Sequence, residues 1–203
     1  MEITQQNKVA LIKEKLNETI DYITYRNIVS ELAKKGLSTS PEQTEDNTNY
    51  TKLNDARMRR LDKTIKVPDE IAEKFKNFNG NHTWLVITES WCGDAAQSIP
   101  AMNKLAEISE GIDLQLIFRD THPDLMDAFL TEGARSIPKL IVFDNESEEI
   151  LNVWGSRPSV ATQMVNDYKA LHGMLTPEFK QDLQLWYNKD KGQSILKDLA
   201  ELI

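Results

Sequence analysis

Apolar residues recur at helical spacing through the first part of the chain, at Val9, Ile12, Leu16, Ile20 and Ile23, then at Ile28, Val29 and Leu32. That period predicts amphipathic helix. The segment reads as one long helix or two shorter ones, ended near Gly36 by Lys34, Lys35 and the glycine itself. The polar run STSPEQTEDNTN over 38–49 contains the only proline before residue 68 and predicts a loop. Helical spacing resumes in YTKLNDARMRRLDKTI, with Leu53, Met58 and Leu61 on one face. Residues 1–62 therefore read as a helical extension.

Beyond residue 62 the pattern alternates between short apolar runs and amphipathic stretches. TIKV is short enough for an edge strand, and PDEIAEKFKNF opens with Pro68 at a position favoured in a first helical turn. TWLVIT (83–88) and LQLIF (114–118) are apolar and rich in β-formers, as buried strands are. HPDLMDAFLTEGA predicts a helix after the second of them. KLIVF and ILNVW flank the turn DNESEE and predict an antiparallel hairpin. SVATQMVNDYKALHG is helical, and TPEFKQDLQLWYNKDKGQSILKDLAELI predicts one further C-terminal helix, with Thr176 as its cap and Pro177 just inside. The order predicts an α/β fold, a mixed sheet flanked by helices. The implied division is 1–62 for the helical extension, 63–175 for the α/β domain and 176–203 for a C-terminal helix packed on it.

Composition narrows the function classes. The formal net charge of −8 argues against nucleic acid, whose phosphates are captured by clustered Lys and Arg. No run of about 18 consecutive apolar residues exists to span a membrane, so no membrane partner is expected. The chain has one cysteine, Cys92, which excludes an intrachain disulfide and fits a reducing, cytoplasmic setting. His82, His122 and His172 are scattered without ligand spacing, so neither a metal site nor a cofactor is expected.

Cys92 stands between the strand TWLVIT and a helix beginning near Gly93. At a helix N-terminus, unpaired N–H groups and the positive end of the dipole stabilise a thiolate. WCGDA at this junction resembles the thioredoxin family motif W-C-G-P-C, with Trp91, Cys92 and Gly93 in matching places. Pro100 matches the proline that kinks the family's active-site helix, and GARSIPKLIVF resembles the stretch G-I-R-G-I-P-T-L-L-L-F, with Gly133, Arg135, Ile137 and Pro138 in register. A closer likeness is to bacterial thioredoxin-like proteins carrying W-C-G-D. The likeness spans about residues 63–172.

The resemblance implies a thioredoxin-like fold with Cys92 as the catalytic nucleophile. It implies that Pro138 is the cis-proline beside Cys92 and that the Ile137 backbone pairs with an extended substrate. It also places Gly155 in the third loop around the substrate groove and Trp91 as a flat wall beside the sulfur, although ordinary core packing also accounts for Trp91. Two departures matter. Ala95 replaces the second motif cysteine, so release of a mixed disulfide cannot come from that position. Val86 stands where the family places a buried aspartate, so that proton carrier is missing.

Asp94, in the first helical turn, reads as a helix-terminal carboxylate or as a local base. With Glu89 it would offset part of the helix effect, and the expectation is a Cys92 pKa modestly below about 8.5. Arg119 and Asp120 read as a surface ion pair or helix cap. Arg59 and Arg60 read as a solvated face, or as a groove edge meeting an anionic thiol. The expected partners are a protein disulfide or a low-molecular-weight thiol, in a single-cysteine exchange resolved by an external thiol. The alternative is a non-catalytic binding module with a vestigial cysteine.

Overall fold

The computed structural model describes residues 4–203. Its first two helices are α1 (Gln5–Lys15) and α2 (Tyr22–Lys35), capped by the side chains of Thr4 and Asp21, and α2 stops at Gly36 in the left-handed conformation. A 3-10 turn over Leu16–Glu18 separates them. Ile20, between the two helices, exchanges backbone hydrogen bonds with Leu116 at 2.9 and 2.8 Å. The helical period from Val9 to Leu32 thus conceals a break where the chain touches a sheet edge.

The polar run over 38–49 is helical in its second half. Thr44 accepts from the Asn47 amide, and Glu45 and Asp46 lie in the first turn of α3 (Glu45–Thr64). A capping hydroxyl followed by two carboxylates suits the positive end of a helix dipole. Ser38 and Ser40, in the remaining loop, are buried. TIKV is not a strand: Thr64 ends α3 and Ile65 caps it. Pro68 precedes α4 (Asp69–Lys76) as its N-cap.

The sheet has the order β2-β1-β3-β4, built from β1 (His82–Thr88), β2 (Ile112–Phe118), β3 (Lys139–Asp144) and β4 (Glu149–Gly155). β1 runs parallel to β2 and antiparallel to β3, and β3 pairs antiparallel with β4 across a register shift at Val142/Phe143. Every residue of β1 is buried, which explains its unbroken apolar run, whereas the edge strand β4 exposes Leu151 and Val153.

The connecting helices are α5 (Gly93–Ala106), α6 (Pro123–Ala128) and α7 (Ser159–His172). α6 is shorter than its pattern suggests, because Thr131 and Ala134 pair around Glu132 and Gly133, both at positive φ. The C-terminal stretch is two helices, α8 (Pro177–Asp190) and α9 (Gln193–Ala200), broken where Lys191 and Gly192 take left-handed backbone. α9 packs against α4, α5 and α7, and α3 against α2 and α5. One contiguous core runs from Ile12 and Tyr25 through β1 to Leu199. Among the described residues no helix is long and apolar enough to cross a membrane.

Tyr25 on α2 is 1% exposed, and its ring centroid lies 6.1 Å from that of Phe118 on β2. Tyr25→Ala is expected to cost about 3 kcal/mol, as large aromatic truncations in cores do, within a single urea-unfolding transition followed by circular dichroism. A separate early transition would place α2 outside the cooperative unit.

Candidate active site

The turn between β1 and α5 is unusual in being both polar and buried. Thr88 and Glu89 are 0% exposed and Ser90 1%. Buried polar groups need partners, because each one left unsatisfied costs about 1–3 kcal/mol. The Thr88 hydroxyl has no hydrogen-bond partner among the described residues, whereas the partners of Glu89 and Ser90 come from distant segments. Thr39, in the loop before α3, donates its hydroxyl to the Glu89 carboxylate and accepts from the Ser90 amide at 2.9 Å. The Asp120 amide donates to the other Glu89 oxygen at 2.8 Å. From α3, Asn54 donates to the Ser90 carbonyl at 2.8 Å, and the Thr51 hydroxyl lies 2.8 Å from that of Ser90. Burial pushes the Glu89 carboxyl upward in pKa, against the bonds from Thr39 and Asp120.

Cys92 is the N-cap of α5, and its sulfur accepts from the Ala95 amide at 3.4 Å. The thiol donates to the Ile137 carbonyl at 3.2 Å, across the cis Ile137–Pro138 peptide. Gly155 sits at φ 121° on the strand partnering Lys139, where a Cβ would collide with the Pro138 carbonyl oxygen. Only glycine lets the two loops approach this closely. Pro100 lies buried inside α5.

The electrostatics depart from the expectation of a modestly lowered thiol. Cys92 is 8% exposed, and burial, with the Asp94 charge second, pushes its pKa up to about 12. The Ala95 and Asp94 amides and Arg157 oppose this without outweighing it. Desolvation disfavours the charged form, and here it exceeds the helix-terminal effect.

Asp94 is not the cap of α5 but its second residue, turned into a cluster assembled from the C-terminal half of the chain. Its carboxylate pairs with Arg157 at 2.7 Å and accepts from the Tyr187 hydroxyl of α8 at 3.0 Å. Burial raises the Asp94 pKa, with Arg157 foremost among the groups holding it down. The side chain is 12% exposed, and its neighbours serve the carboxylate as ion-pair and hydrogen-bond donors.

A cleft of about 830 Å³ opens above the sulfur, between α3, the Cys92 turn, the loop before β3 and α8. Trp91, Cys92, Gly93, Asp94 and Ile137 line it, whereas Pro138 and Gly155 do not. Arg119 pairs with Asp120 at 2.7 Å, and its guanidinium also stacks over Trp91, 4.7 Å from the ring centroid. Arg59 and Arg60 are not at the groove: Arg59 pairs with Asp55 on its own helix and Arg60 donates to Asn188. The arginine of α3 that does face the cleft is Arg57. Sequence reasoning also missed Asn54, Arg157, Gln184 and Tyr187. Of these only Arg157, two residues after Gly155, carries a signal in its position.

Removing the Asp94 charge removes the second-largest influence raising the thiol and leaves Arg157 unpaired beside it. Asp94→Asn is therefore expected to move the pH midpoint of Cys92 alkylation downward by about one unit, read as an iodoacetamide rate about tenfold above that of the unsubstituted chain at each pH between 7 and 10, well below both midpoints. An unchanged midpoint would mean that burial alone sets the thiol.

Two solved structures resemble this fold. One is a protein of unknown function from Pseudomonas aeruginosa, with 17% identity and a TM-score of 0.57 over 74% of this chain and 83% of that one. The other is an HIV epitope-scaffold, with 18% identity and a TM-score of 0.55 over 90% of this chain and 97% of that one. No curated protein matches the chain significantly. The family model described as Thioredoxin matches residues 40–169, which takes in α3, the Cys92 turn, the cis-proline loop and most of α7. Matched over more than half its length and folded accordingly, the chain belongs to the thioredoxin family.

Proposed function

We propose that the protein is a thioredoxin-like thiol–disulfide protein working through one cysteine, in a reducing, cytoplasmic setting. The observation that carries this reading is the placement of Cys92, the only sulfhydryl in the chain, at the α5 N-terminus and at the floor of an open cleft. The Cys92 sulfur attacks one sulfur of a disulfide. A Cys92–substrate S–S bond forms, the substrate S–S bond breaks, and the departing thiolate takes up the proton that Cys92 released. Ala95 stands where a second thiol would close the cycle. An external thiol therefore attacks the substrate sulfur, forms a new disulfide with it and returns Cys92 to the thiol.

The raised pKa sets the tempo of both halves. At neutral pH little thiolate is present, so attack is slow. A high-pKa thiolate is also a poor leaving group, so the mixed disulfide persists until an external thiol arrives. The same burial favours a second reading, a binding module whose cysteine does not react, with Ile137 and the cleft holding a peptide or protein partner.

The two readings separate by mass spectrometry of the intact chain with hydroxyethyl disulfide. Exchange predicts a single adduct whose formation rate rises about tenfold per pH unit from 7 to 10 without levelling, since thiolate concentration grows so far below the pKa. An external thiol then removes the adduct. No adduct at pH 10 while the chain stays folded would overturn exchange in favour of binding.

A further inference from the structure

The chain carries a formal charge of −8, yet five basic side chains line the cleft above Cys92 against two carboxylates, those of Asp46 and Asp94. Three of the five are matched: Arg119 by Asp120, Arg135 by Asp127 and Arg157 by Asp94. Arg57 and Lys180 have no carboxylate within ion-pair distance among the described residues. They stand on different walls, Arg57 on α3 and Lys180 on α8.

Arg57 is the more informative of the two. It is half-buried, and burial lowers its pKa. A guanidinium withdrawn from water is normally offset by an anion, but the hydrogen bond that holds Arg57 goes to a neutral group, and the Asp94 carboxylate acts on it only from beyond ion-pair distance. Its Nη1 donates to Asn54 Oδ1 at 2.9 Å, and Asn54 in turn donates to the Ser90 carbonyl. The Cys92 turn thus aims this cation. Arg57 Nη1 lies 3.5 Å from the position a Cβ would take on Gly93, and Gln184 Nε2 lies 3.6 Å from it. Gln97, 2% exposed, donates to Gln184 Oε1 at 3.1 Å, leaving the Gln184 amide nitrogen free to donate. Two side-chain donors, one of them charged, converge one residue from the sulfur.

We infer that the cleft selects low-molecular-weight disulfides bearing carboxylates, with Arg57 and Gln184 binding a carboxylate beside the reacting sulfur and Lys180 attracting a second at the mouth. A planar guanidinium beside an amide N–H suits a carboxylate, whereas a neutral or cationic disulfide leaves Arg57 unmatched. The chemistry rests on the exchange reading; the selectivity rests on the cleft alone. The covalent step is the exchange already described, with the anionic disulfide as oxidant.

The test uses three disulfides with the full chain: oxidised glutathione, which is anionic, hydroxyethyl disulfide, which is neutral, and cystamine, which is cationic. Intact-mass rates of Cys92 adduct formation are expected to favour oxidised glutathione over cystamine about tenfold or more at low salt, the size of one charge-assisted hydrogen bond. The preference shrinks at 0.5 M salt. Arg57→Gln is expected to lower the ratio of the glutathione rate to the hydroxyethyl rate about tenfold, Arg57→Lys to restore part of it, and the exposed-site variant Lys180→Gln to lower it about twofold. Equal rates for the three disulfides, or a ratio indifferent to Arg57, overturn the inference. Calorimetry of Cys92→Ser with oxidised glutathione separates the two claims. Millimolar or tighter binding that is lost in Cys92→Ser/Arg57→Gln supports the cleft even where no disulfide reacts with Cys92, an outcome that sinks exchange alone. No binding to Cys92→Ser overturns the cleft.

Discussion

The turn from β1 into α5 places Glu89 and Ser90, two polar residues, where solvent does not reach. Because every donor and acceptor there must find a partner within the protein, other segments are drawn over the turn. Thr39 and Asn54 supply the side chains, and Asp120 supplies a backbone amide. Helix α3 lies where it does partly because its buried face, Thr51, Asn54, Asp55, Met58 and Leu61, mixes polar and apolar groups to match this turn and α5. The same face points Arg57 at the cleft. Satisfying a buried turn and building one wall of the cleft are a single arrangement.

That closure has an electrostatic consequence at the sulfur. A cysteine capping a helix gains from the amide dipoles, and the Ala95 N–H contact shows this effect in place. Covering the turn removes water from the thiol, and the W-C-G-D motif sets a carboxylate two residues away. Arg157 pairs with that carboxylate and the Tyr187 hydroxyl donates to it, but both lie beyond the motif in sequence. Burial and the Asp94 charge together prevail over the helix end, and Cys92 rests as a thiol rather than a thiolate.

The strands were legible because β1 and β2 are short apolar runs bounded by polar turns, and the β3–β4 hairpin shows its turn chemistry openly. The helix breaks were not. The period from Val9 to Leu32 runs through a 3-10 turn that Ile20 needs in order to reach Leu116, a contact with a residue 96 positions away. TIKV has strand-like composition, yet α3 continues through Thr64, and composition cannot tell a strand from a connector. Near the site, Trp91, Cys92, Gly93, Asp94 and Ile137 could be picked out by motif. Arg57 and Gln184 could not, since an arginine on a charged helix and a glutamine on another carry no local mark of the cleft they face.

By itself the sequence determined the α/β order, the single thiol at a strand-to-helix junction and the missing second cysteine. These follow from residue identity and short-range spacing, which act through local backbone preferences. Only the tertiary structure decided the state of the thiol, the partners of Asp94 and the charge lining the cleft. Each of these depends on desolvation and on distances between residues far apart in the chain, and periodicity does not encode such quantities.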